Sequence, residues 1–174
     1  MATLFAASMG GLLWWMLHPP APVAPAVAKA RRSVDALKRI LVPTIGESYA
    51  EHAVELACRL GQEQKAEIFL LYVLEVPRTL PLNAPLPADE AKAQEVLKRA
   101  QEIVYLHGLP WNIRIERARE AASGVLHVAK EYDVDLIVLG TRPGAVRGQE
   151  ILGRTTLALL RQAPCEVIID KPPL

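Results

Sequence analysis

The chain has 174 residues, 51% of them hydrophobic and 22% charged, with a formal net charge of +1. This is a globular balance, sized for one domain with a proper core. So small a charge leaves no field to steer a nucleic acid or an acidic partner, and aromatics at 5%, with no basic stretch among them, argue against stacking on single strands.

Residues 1–18 are unlike the rest. Ala2 to Leu17 carry no charge, and as a helix they would span roughly 24 Å, short of the ~30 Å hydrocarbon core. Trp14 and Trp15 mark one end, where indoles favour the membrane interface, and Pro19 and Pro20 stop any helix. Three readings compete: a short membrane anchor, a signal peptide cleaved near Ala26-Val27-Ala28, and a peripheral segment. No Lys or Arg precedes the apolar run, as a signal peptide requires. Lys29, Arg31, Arg32, Lys38 and Arg39 all follow it. The preferred expectation is a single-pass anchor with the domain on the cytoplasmic face of the membrane; a cytoplasmic protein is the alternative. Residues 19–37 form a Pro/Ala-rich, then basic, linker, semi-rigid where proline dominates. Residues 38–171 form the folded domain.

Within that domain, Arg39 to Thr44 is a short apolar strand. Ser48, with Glu51 three residues on, has capping-box spacing. Ala50, Ala53, Val54, Ala57 and Leu60 then recur at helical intervals up to Gly61. Glu67 to Leu74 is a second strand, apolar enough to be covered on both faces. Residues 77–87, with four prolines, form a loop, and Asp89 to His107 a helix. Trp111 to Glu116 alternates as an edge strand does. Glu120 to Tyr132 is helical, Asp135 to Leu139 a buried strand, residues 141–152 a glycine-bearing loop, Gly153 to Gln162 a helix and Cys165 to Ile169 the last strand.

This alternation implies right-handed βαβ crossovers and a parallel sheet with helices on both faces. Ligands of such sheets bind beyond the carboxyl ends of the strands, which points to Pro43, Thr44 and Ile45, to Val73, and to Gly140 onward. The loop from Gly140 to Thr156 leaves a buried strand and enters a helix, with Thr141, Arg142, Gly144, Arg147, Gly148, Gly153, Arg154 and Thr155 along it. Glycines permit close backbone approach, and a helix N-terminus with free N–H groups attracts phosphate. The P-loop likeness of Gly148 to Thr155 lacks the lysine and is coincidental.

Catalysis has little support. His52, His107 and His127 fall in helices, none at a strand's carboxyl end, and read as surface or packed residues. Asp133 and Asp135 flank a strand start and read as turn and capping residues. Cys58 and Cys165, without CxxC or metal-ligand spacing, read as buried, inert thiols; no metal is expected.

The segments Arg39-Ile-Leu-Val-Pro-Thr44, Ala53-Val-Glu-Leu-Ala-Cys-Arg-Leu60, Asp135-Leu-Ile-Val-Leu-Gly140 and Ala163-Pro-Cys-Glu-Val-Ile-Ile169 resemble the universal stress protein family over about three quarters of the chain. The resemblance implies a Rossmann-like, adenine nucleotide α-hydrolase-like fold: a five-stranded parallel sheet of order 3-2-1-4-5. It implies a homodimer, here expected through the last strand, Cys165 to Ile169. It also implies ATP or another adenine nucleotide as ligand, and no enzyme activity beyond a weak ATPase. The family's ATP-binding members carry G-x-x-G-x9-G-[ST]. Gly140 and Gly153 match the first and third glycines, Pro143 stands at the second with Gly144 one residue late, and Arg154 replaces the hydroxyl residue, followed by Thr155. Ile45 stands where the family has an early aspartate. The expected function is a membrane-tethered, nucleotide-binding stress sensor or regulator. The alternative is a dimeric interaction module with a degenerate pocket.

Overall fold

The structure, a computed structural model, describes residues 37–142 and 152–172. The apolar N-terminal segment, its linker up to residue 36, and the loop residues Pro143, Gly144, Arg147 and Gly148 lie outside them. Five strands alternate with four helices: β1 Arg39–Pro43, α1 Ser48–Gly61, β2 Glu67–Glu75, α2 Pro87–Leu106, β3 Trp111–Ala118, α3 Ala121–Glu131, β4 Leu136–Gly140, α4 Arg154–Gln162 and β5 Glu166–Asp170. The sheet order is β3-β2-β1-β4-β5, every pair parallel, as the resemblance implies.

The strand alternation builds two core layers. Ile40, Val42, Ile68, Leu70, Leu136 and Val138 point to one face, where Ala53, Val54, Ala57 and Cys58 of α1 and Leu97, Ala100 and Val104 of α2 cover them. Leu41, Phe69, Leu71, Ile137 and Leu139 point to the other, under Val125 and Val128 of α3 and Leu159 of α4. Central strands therefore read as unbroken apolar runs, because both of their faces are buried. Edge strand β3 is only half-buried along its length, consistent with its alternating sequence. Among the described residues no helix is long and apolar enough to cross a membrane.

Several boundaries differ from expectation for local reasons. The helix-starting role assigned to Ser48 belongs to Glu47, whose extended backbone (φ −89°, ψ 151°) is the N-cap and makes no side-chain cap. Gly46, at φ +82°, sets that turn, and a Cβ there would lie 2.5 Å from Val96 Cγ2. Leu60, which shares the helical spacing of Ala50, Ala53, Val54 and Ala57, is 37% exposed, while Cys58 is fully buried. Pro87, read as loop, begins α2; its missing N–H costs nothing in a first turn. Strands β2 and β3 run one and two residues further than expected, to Glu75 and Ala118.

The carboxylate of Asp135 accepts the backbone N–H groups of Lys38 and Arg39 at 2.8 and 2.9 Å. It joins β4 to the start of β1, the capping role read for it. Asp133 occupies the turn before it, at φ +47°.

Burial, first, and the nearby Glu55 carboxylate, second, push the Cys58 thiol up from 9.0 to about 12. Cys165, only half-buried, is raised to about 11, chiefly by burial, with the carboxylates of Asp135 and Glu166 adding. A raised thiol favours the protonated folded form. Its contribution is complete below pH 9 and is lost as pH climbs toward the folded value. Cys58 alone should cost roughly 1.4 kcal/mol of stability by pH 10. Urea unfolding at pH 8 and pH 10 should show more than that loss in the wild type, because Cys165 adds its own, and a loss smaller by roughly 1.4 kcal/mol in Cys58→Ala; equal losses would show that Cys58 ionises normally.

Candidate functional site

The chain turns from one face of the sheet to the other between β1 and β4. Helices α1 and α2 cover one face and α3 and α4 the opposite one, so the crevice at the carboxyl ends of β1 and β4 is the topological switch point, where open α/β sheets bind ligands. Pro43, Thr44 and Ile45 leave the sheet on one side of it, and Gly140, Thr141 and Arg142 on the other.

Each residue there has a distinct environment. Thr44 is 1% exposed, and its N–H donates to the Leu71 carbonyl at 2.8 Å. Its hydroxyl is buried and has no partner among the described residues. Buried hydroxyls are normally satisfied, so this one is an open position for a water or a ligand atom. Ile45 is 46% exposed and brings no polar atom to the crevice. Thr141 donates to the Asp170 carbonyl from its N–H (2.8 Å) and from its hydroxyl (3.1 Å). The Arg142 guanidinium, exposed, is raised by a hydrogen bond to the Tyr49 hydroxyl, with Glu47 adding a smaller pull.

Gly140 has a structural reason to lack a side chain. A Cβ there would overlap the Tyr49 carbonyl oxygen and lie 2.8 Å from that carbonyl carbon and 3.1 Å from Ala50 Cα. Helix α1 thus packs backbone-to-backbone against the end of β4. Val73 lies two residues inside the end of β2. Its methyl groups fill the space beside Gly124 of α3, where a Cβ would come within 2.7 Å, so its side chain is packing.

At the far side of the loop, Gly153 is the N-cap of α4 and makes no side-chain cap. The first helical bond runs from Leu157 N–H to the Gly153 carbonyl at 3.0 Å, so the N–H groups of Arg154, Thr155 and Thr156 have no acceptor within the helix and none among the described residues. Gly153 and Arg154 are exposed and Thr155 half-exposed. The Gly153 Cβ position has nothing within 4 Å. Gly144 lies outside the described residues. Three arginines elsewhere at this edge are already committed. Arg117 bonds the carbonyls of Leu82 and Ala84 and the Glu90 carboxylate, Arg119 those of Val76 and Pro77, and Arg78 the Glu120 carboxylate.

One histidine is not where its sequence suggests. His52 Nδ1 lies 2.5 Å from Oδ2 of Asp170, the last residue of β5, so it does meet a strand's carboxyl end. Asp170 matches no motif; its one sequence signal is that of a lone acid closing the apolar run Val167-Ile168-Ile169. The other two are paired away from the crevice, His107 with Glu55 at 2.7 Å and His127 with Glu116 at 3.2 Å. Among the described residues no cluster of His, Cys, Asp or Glu could hold a metal ion.

These features define a Rossmann-like α/β domain with an anion-attracting helix end at its switch point. The sequence matches the universal stress protein family over residues 36–171. A universal stress protein of Methanothermobacter thermautotrophicus is 31% identical over 143 residues, which is 77% of this chain and 95% of that one. The chain belongs to the universal stress protein family. Among solved structures, the universal stress protein of Archaeoglobus fulgidus in complex with dAMP superposes with a TM-score of 0.62 at 19% identity, covering 76% of this chain and 96% of that one. A universal stress protein family protein of Arabidopsis thaliana with AMP bound gives 0.56 at 18%, covering 78% and 92%. Both likenesses are likenesses of fold.

Proposed function

We propose that this chain is a stress-response binding module that takes an adenine nucleotide in the crevice between β1 and β4, its phosphates over the N-terminus of α4. The observation that carries this is the start of α4, which has no side-chain cap and three N–H groups without an acceptor among the described residues, behind the exposed Gly153 and Arg154. A helix end of this kind attracts phosphate, and two proteins of the same fold hold dAMP and AMP. Thr44 Oγ1 supplies an unfilled hydrogen-bonding position in the crevice. Calorimetry with ATP, AMP and adenosine tests the reading. Heat is expected with the phosphorylated ligands at millimolar concentration or below; its absence for all of them refutes nucleotide binding.

The second reading, an interaction module with a degenerate pocket, is favoured by Ile45, which puts an apolar side chain where the family's aspartate is expected. In either reading the domain works as a homodimer through β5, an edge strand whose Val167, Ile168 and Ile169 are only half-buried and whose outer backbone groups invite pairing. Sedimentation at high micromolar concentration should give a dimer; a monomer there removes this interface. The uncharged Ala2–Leu17 run followed by basic residues supports tethering of the domain to the cytoplasmic face of a membrane.

A further inference from the structure

At the corner where α1 meets the ends of β4 and β5, one polar cluster is left without a role. The Asp170 side chain is 10% exposed, and its carboxylate lies 2.5 Å from His52 Nδ1. Its carbonyl oxygen is occupied by the N–H and the hydroxyl of Thr141, so the pair is tied to the point where the glycine loop leaves β4. A carboxylate this buried needs a proton donor against it, and among the described residues His52 is its side-chain partner. Nδ1 is therefore the nitrogen that carries the proton in the neutral ring, which makes Nε2 the nitrogen with the lone pair. Nε2 has no partner among the described residues, and the imidazole is 49% exposed.

We propose that His52 is a phosphoryl acceptor, its Nε2 taking the terminal phosphoryl group of a nucleoside triphosphate bound at the carboxyl edge. The proposal rests on the nucleotide reading above. A ring nitrogen held in one tautomer by a carboxylate and open at the other nitrogen is an activated nucleophile. The Nε2 lone pair attacks the γ-phosphorus, the N–P bond forms as the bond from phosphorus to the bridging oxygen breaks, and ADP leaves with that electron pair. The ring gains positive charge, the Nδ1 proton stays between Nδ1 and Asp170, and the carboxylate stabilises the charge.

The test incubates the full chain with magnesium and ATP radiolabelled in the γ-phosphate. An acid-labile, base-stable label is expected, mapped to His52 by mass spectrometry of the wild type. It should be abolished in His52→Gln and formed at least ten-fold more slowly in Asp170→Asn. A merely structural ion pair would change the melting of these variants and leave no label in any of them. Calorimetry with a non-hydrolysable ATP analogue separates the two readings. Binding without label overturns the phosphoryl-acceptor role and leaves the nucleotide site standing, whereas no binding and no label removes both. A label that persists in His52→Gln, or resists acid, places the acceptor elsewhere and overturns the proposal.

Discussion

Gly140→Ala is expected to destabilise the domain by roughly 3 kcal/mol or more, at the upper end of what a single added methyl does to a packed interior. The new carbon would overlap the Tyr49 carbonyl oxygen and sit 2.8 Å from its carbon and 3.1 Å from Ala50 Cα. These are backbone atoms of α1, and no rotamer change relieves the clash. The helix has to move off β4, and with it the contact between His52 and Asp170. The control is Gly153→Ala. That glycine has an ordinary φ of −65° and open space around its Cβ position, so its loss as an N-cap should cost below about 1 kcal/mol. Urea denaturation of the two variants beside wild type reads the difference. Equal, small effects would mean that Gly140 is kept for the ligand and not for the helix.

Arg154→Ala is expected to weaken ATP about 10- to 100-fold while leaving adenosine nearly unchanged. Arg154 is the first residue of α4, exposed, at the end whose first N–H groups have no acceptor among the described residues. A charged hydrogen bond to a phosphate there is worth roughly 1.5–3 kcal/mol, which converts to that loss of affinity. Adenosine has no phosphate to lose. The same titrations that test nucleotide binding supply the measurement. If ATP affinity survives the change, the phosphate contacts lie with Thr155 and the backbone N–H groups, and the arginine is a surface charge.

The fold was largely legible because its strands are short apolar runs separated by helices of clear 3.6 period. Ile40 to Val42, Ile68 to Leu71 and Leu136 to Leu139 are each buried on both faces, and that is the property the sequence displays. What escaped the sequence depends on tertiary geometry. Ser48 had the right residue type for a cap, but the turn at Gly46 made Glu47 the residue with extended backbone. Leu60 kept helical spacing at a point where α1 was about to end, and it lies open to solvent. The candidate site was legible as a place and less so as a set of contacts. Gly140 reads as a ligand-approach glycine in any one-dimensional view, since nothing in the chain reveals that α1 occupies its Cβ position. Val73 sat in the right strand with its side chain committed to α3. The meeting of His52 with Asp170, 118 residues apart, is set by strand order and by the tilt of α1, neither of which a local pattern encodes.

The tie between Asp135 and the start of β1 also dictates a timetable. It bonds Lys38 and Arg39 across 97 and 96 residues of chain, and β4 itself pairs with β1 at Ile40 and Leu41. At a synthesis rate of ~5–20 residues per second, roughly 5–20 s separate the emergence of these two partners from the ribosome. During that interval β1 can pair with β2 on one side, but its other edge stays bare and apolar, a template for association with any neighbouring chain. The central strand of the finished sheet thus keeps one edge unpaired until β4 has been made, a hazard of association that the completed fold no longer shows.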